Sequence, residues 1–87
     1  MKKINCAIIG FGNIGKIQAD FLLRNKNTNL VYIFEKNKNL VKKFKKRYKS
    51  VNWVDNEDKI FHDTIIDLIV ICSYDNFHYN QIIKAIK

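Results

Sequence analysis

Proline is absent from this chain, and glycine occurs three times and cysteine twice among its 87 residues. With the missing prolines goes any low-complexity linker or repeat, so nothing in the composition divides the chain. Its length is that of one domain or part of one. No run of about 18 apolar residues is present, which excludes a helical membrane span. The opening MKKINCAIIG breaks its apolar run at Gly10, too early for the core of a signal peptide. Cys6 and Cys72 both lie in apolar runs, INCAII and LIVICS, and read as reduced core residues of a cytoplasmic protein. Cysteine and histidine nowhere cluster at ligand spacing, so no metal site is assigned.

Acidic residues are scarce as well, eight against sixteen basic ones, for a formal net charge of +8. The excess is local. Residues 36–49, KNKNLVKKFKKRYK, hold eight of the basic residues and no acid, and the rest of the chain sums to zero. Such a segment is either a footprint for nucleic acid or an anionic membrane, or a helix face written in lysine for water. Lysine outnumbers arginine 14 to 2, and arginine is the better reader of phosphates and bases. The solvated face is therefore the reading adopted, and neither nucleic acid nor a membrane is expected as a partner.

All three glycines fall in one stretch, IIGFGNIGKI at residues 8–17. A floppy loop would scatter them, so their crowding says that the backbone must come close to something there. The surroundings alternate between strand and helix patterns. INCAIIG reads as a buried strand, and Ile14, Ile17, Gln18, Phe21 and Leu22 recur as an amphipathic helix from about 13 to 25. LVYIF is a second strand, followed by a helix through Leu40, Val41, Phe44 and Tyr48, and VNWV is a weak third strand. Asp55 and Asp58 resemble the start of a short helix that turns Ile60 and Phe61 inward. DLIVICS is the strongest strand. After it, Asp75 or Asn76 would cap a last helix with Tyr79, Ile82, Ile83 and Ile86 on one face. This order predicts an α/β fold, a partial doubly wound parallel sheet with strand order 3-2-1-4 and helices on both faces. A strand at 67–72 with nothing beside it would be an aggregation hazard. The expectation is therefore a piece of a longer protein.

In this context Gly10-x-Gly12-x-x-Gly15 follows a strand and opens a helix, as in dinucleotide-binding loops. Gly10 permits the turn, Gly12 admits a pyrophosphate to the backbone, and Gly15 lets the helix pack closely. Amides around Phe11, Asn13 and Ile14 lie where a helix N-terminus favours an anion. Glu35 ends the second strand twenty positions after Gly15, the place of the acid that accepts hydrogen bonds from the adenosine ribose. A carboxylate there repels a 2′-phosphate and favours NAD over NADP, while Lys36 and Lys38 beside it would attract that phosphate.

IIGFGNIGKIQADFL, LVYIFEKN and IDLIVICSYDNFHYNQIIKAIK together resemble the cofactor domain of the Gfo/Idh/MocA (glucose–fructose oxidoreductase and inositol dehydrogenase) family over about residues 4–87. The resemblance implies that Ser73 matches a Thr/Ser at a turn bordering the dinucleotide, and His78 a histidine that opens the next helix. Tyr74 stands where that family usually has proline. The family's catalytic lysine, with an Asp and a His from a second domain, has no counterpart here, so no catalytic residue is assigned. The resemblance implies the cofactor-binding part of an NAD(P)-dependent oxidoreductase acting on a secondary alcohol of a sugar, sugar nucleotide or polyol. The intact enzyme would be open to homo-oligomerisation, and the chain alone would be inactive. The alternative is a stand-alone NAD-sensing module in which the dinucleotide is a ligand and no hydride moves.

Overall fold

A computed structural model describes the backbone of residues 2–75 and 78–85 and the side chains of residues 2–72. The elements run β1 (Ile4–Ile9), α1 (Asn13–Arg24), β2 (Thr28–Phe34), α2 (Lys38–Phe44), β3 (Asn52–Val54), α3 (Asp58–Phe61), β4 (Leu68–Asp75) and β5 (His78–Ala85). They form one sheet in the order β3-β2-β1-β4-β5. The first four strands are mutually parallel in the expected 3-2-1-4 order. Both faces of β1 are apolar because both are covered, which is what a parallel sheet between helices demands.

Strand alternation divides the core in two. Cys6, Ile8, Leu30, Ile33, Val70 and Cys72 face α1 and α2, where they meet Phe11, Ala19, Leu22 and Tyr48. Ala7 and Ile69 face the other way, toward Ile60 of α3 and Ile66. An irregularity of register between Cys6 and Ala7 leaves Val31 of β2 without an opposite residue on β1. Ile8, Ile33, Ile60, Ile66 and Ile69 are fully buried, each stabilising the fold by roughly 1.5–3 kcal/mol. Phe11 sits among Phe44, Tyr48 and Trp53 with ring centroids 5.5, 5.2 and 5.0 Å away, all edge to face.

Four local expectations are corrected. α2 stops at Phe44, so Tyr48 lies in the turns beyond the helix expected to include it. The buried stripe of α1 is Gly15, Ala19 and Leu22, while Ile17 and Phe21 are exposed at 59% and 54%. The cause is Gly15: a Cβ there would lie 2.2 Å from the Gly10 carbonyl oxygen. The helix therefore approaches on its small-residue side, which turns Ile17 and Phe21 outward. In α3 only Ile60 is buried, and Phe61 is 38% exposed. The helix expected from Tyr79 onward is instead β5, antiparallel to β4 from Leu68↔Ala85 to Asp75↔His78. An apolar strand leaves a row of ladder donors and acceptors on its edge, and a segment rich in Ile and Tyr that pairs there satisfies them. The edge of β4 predicted to stand uncovered is thus paired. The expected cap at Asn76 and the face residue Ile86 lie outside the described residues.

The helix ends follow from side-chain chemistry. Asn37 caps α2, its Oδ1 accepting from the amides of Asn39 and Leu40 at 3.0 and 3.3 Å. α1 closes where the Thr28 hydroxyl donates to the Leu22 carbonyl at 2.8 Å. The Tyr48 hydroxyl donates to Asp20 Oδ1 at 2.7 Å and ties the segment after α2 to α1. Cys6 and Cys72 are both free and buried. Among the described residues no helix is long and apolar enough to cross a membrane.

Candidate functional site

The parallel strands end in register. Ile9 lies opposite Phe34 on one side and Ile71 on the other, so their carboxyl ends form a single ledge. α1 starts above it. A groove of about 610 Å³ opens along this ledge, lined by Ile9, Gly10, Gly12, Phe34, Glu35, Lys36, Asn37, Leu40, Glu57, Ile71 and Cys72. It lies where the sheet's strand order reverses direction, between β1 and β4, the usual ligand position in open α/β sheets.

The three glycines stand there for different reasons. Gly10 has φ +95°, and a Cβ on it would lie 1.7 Å from the Cys72 carbonyl oxygen, so both conformation and space require glycine. Gly15 is required by its contact with Gly10. Gly12, the N-cap of α1, has φ −80° and ψ −157°, a conformation open to any residue. Backbone strain does not explain it, yet it lines the groove. It contributes no side-chain cap to the first turn of α1.

Glu35 reaches the same loop. Its Oε1 accepts from the Phe11 amide at 2.6 Å and its Oε2 from the Asn37 amide at 2.7 Å. The Gly10 amide donates to the Phe34 carbonyl at 2.7 Å. The glycine loop is thus laced to the end of β2. Phe11, grouped with the glycines by sequence, sends its ring into the core and its amide to Glu35. Asn13 is exposed at the start of α1, and Ile14 is half-buried against the core. Lys36 lines the groove with its side chain exposed. The backbones of Ser73 and Tyr74 belong to β4 and that of His78 opens β5, not a helix. The side chains of all three lie outside those described.

A second groove, of about 470 Å³, shares Phe34, Glu35 and Lys36 with the first. It runs between α2 and β3, with Val41, Trp53 and Val54 in its walls and Lys38, Lys42 and Lys45 around them. The basic residues of 36–49 are all exposed. Lys16 and Lys43 lie over the Phe44 ring at 5.2 and 5.4 Å.

Sequence reasoning missed Ile9, Phe34, Asn37, Leu40, Glu57, Ile71 and Cys72 as groove residues. Ile71 and Cys72 could have been found by counting to the carboxyl end of the strongest strand, because strand ends carry the ligands of such sheets. Glu57 arrives from the β3–α3 connection, and no local pattern announces it. Burial pushes the Cys72 thiol above its ordinary pKa, and burial followed by the Asp67 charge does the same to Cys6. Both remain neutral thiols near pH 7, poor nucleophiles.

Residues 4–87 match the Gfo/Idh/MocA family, described as an oxidoreductase family with an NAD-binding Rossmann fold. The chain belongs to that family. It is 26% identical over 86 residues to Oxidoreductase P35 of Formosa agariphila, covering 98% of this chain and 27% of that protein. It is similar to scyllo-inositol dehydrogenase from Lactobacillus casei, solved with NAD(H) and scyllo-inositol, at 26% identity and a TM-score of 0.68. Myo-inositol 2-dehydrogenase from Lactobacillus plantarum is 28% identical, with a TM-score of 0.70. In each dehydrogenase the similarity covers 88% of this chain and 23% of the other. The chain therefore spans about a quarter of the length of these relatives.

Proposed function

From that family membership we propose that residues 1–87 are the dinucleotide-binding part of a cytoplasmic NAD-preferring oxidoreductase. Its substrate would be a secondary alcohol of a sugar, sugar nucleotide or polyol. The observation that carries this reading is Gly12, a groove-lining glycine in a conformation any residue could adopt. A glycine kept where the fold does not demand it fits a backbone that a diphosphate must approach closely. Gly10 and Gly15 shape the turn, and the opening turn of α1, at Asn13 and Ile14, faces the anion. The Glu35 oxygens accept from the ribose hydroxyls. Lys36, Ser73, Tyr74 and His78 border the dinucleotide. The bound cofactor supplies the hydride chemistry, and this chain holds and orients it. The polyol reading draws on the two inositol dehydrogenases. Substrate and catalytic groups would come from the remainder of a longer enzyme, so the 87-residue chain should show no turnover.

Titration of the purified chain with NAD, followed by its amide resonances, tests this reading. Signals of residues 10–15 should move on addition of NAD, and Gly12→Val should abolish the response while leaving the unfolding free energy from urea denaturation within about 0.5 kcal/mol of the parent. Unmoved signals in a folded sample, or a valine variant that binds normally, would contradict it.

A further inference from the structure

The glycine loop is gripped from outside at three points. The Gly10 amide donates to the Phe34 carbonyl, and the Phe11 ring is buried in the aromatic cluster. The third grip is a side chain: Glu35 Oε1 accepts from the Phe11 amide at 2.6 Å across 24 residues of sequence. Its other oxygen is held by the Asn37 amide at 2.7 Å, and Asn37 is itself fixed as the cap of α2. Glu35 is therefore anchored at both oxygens, and bonds of an ionised acceptor to backbone N–H groups are roughly twice as strong as neutral ones.

Resting on the reading of the groove as a dinucleotide site, we propose that Glu35 is a positioning residue of the diphosphate-binding loop. Its carboxylate, acting through the Phe11 amide, holds Gly10–Gly12 in the conformation that receives a diphosphate. Each carboxylate oxygen has a second lone-pair site. Ribose hydroxyls can therefore add to the same group without releasing the loop. The ribose and diphosphate ends of the site are coupled through one side chain, a role distinct from contact with the ribose.

Two variants separate position from charge. Glu35→Gln and Glu35→Ala both remove the negative charge, but only glutamine keeps an oxygen that can accept from Phe11. Inorganic pyrophosphate has no ribose, and loss of the charge alone would raise its affinity for both variants equally. Glu35→Ala is expected to bind pyrophosphate on the order of tenfold more weakly than Glu35→Gln. In the ligand-free protein its Phe11 amide should exchange with deuterium on the order of tenfold faster. If Glu35→Ala fails to fold, Glu35→Met preserves the length without a strong acceptor and replaces it. Equal Phe11 exchange in the two variants overturns the latch. Equal pyrophosphate affinity, or none in the parent chain, overturns its role in binding. Failure of the parent to bind NAD, with pyrophosphate still separating the variants, strikes the dinucleotide reading alone.

Discussion

The two grooves share the wall formed by Phe34, Glu35 and Lys36 but are made of different material. The first is built from strand ends, a glycine turn and a carboxylate pinned at both oxygens. The second is rimmed by lysines on long flexible stems. Main chain and anchored groups resist displacement, so the first groove can discriminate by shape. Flexible ammonium groups follow an anion wherever it lies, are screened by salt and discriminate by charge alone. On the proposed reading of the site, geometric selectivity would belong to the β1–α1 side of Glu35, and electrostatic bias to the α2 side.

The sharpest way to break the first groove is at Gly10. A valine there meets the Cys72 carbonyl and must adopt a positive φ. Gly10→Val should cost more than about 4 kcal/mol, enough to unfold a domain of this size. Urea denaturation measures it, and a native-like midpoint would show that the loop is not built into the fold.

A smaller effect is expected at Tyr48, which ties α1 to the segment behind the second groove. Tyr48→Phe removes the hydrogen bond to Asp20 and should destabilise by about 1–2 kcal/mol. Burial, then the hydrogen bond to Asp20, raise the Tyr48 pKa. The folded state thus holds that proton more tightly than the unfolded chain. The associated stability is complete below the ordinary tyrosine pKa of about 10 and is lost as pH rises through the folded value. The phenylalanine variant should show a shallower alkaline decline in a pH series of urea midpoints, the part that remains including Tyr32, whose pKa is raised by its hydrogen bond to Asp63.

The smallest effect concerns the second groove. Replacing Lys38, Lys42 and Lys45 by alanine should weaken NADP by about fivefold at low salt. NAD should change by less than about twofold. The difference should shrink as ionic strength rises. Equal losses for both dinucleotides would assign these lysines to something other than the 2′-phosphate.

Much of this architecture was legible in residue order. The spacing of the glycines, the place of Glu35 at the end of β2 and the alternation of strand and helix patterns are local features, and they gave the 3-2-1-4 sheet and the mouth of its groove. What was not legible depended on neighbours. Ile17 and Phe21 satisfy a helical pattern as well as Ala19 does, and only the approach of Gly15 to the Gly10 carbonyl selects the face that is buried. Residues 78–85 carry a helical spacing and also enough β-branched and aromatic side chains for a strand. The choice fell to the edge of β4.

The residue sequence by itself determined where the chain must turn tightly, which segments must be buried on both sides and that a carboxylate would end the second strand. Those properties reside in side-chain size, period and position along one stretch of chain. Tertiary structure alone decided which face of α1 is buried, that residues 78–85 form an antiparallel strand, and that Glu35 grips the loop through the Phe11 amide. Each of these is settled by the free energy of groups distant in sequence, through excluded volume at Gly15 and hydrogen bonds at β4 and Glu35. No local pattern encodes a partner that the fold has yet to supply.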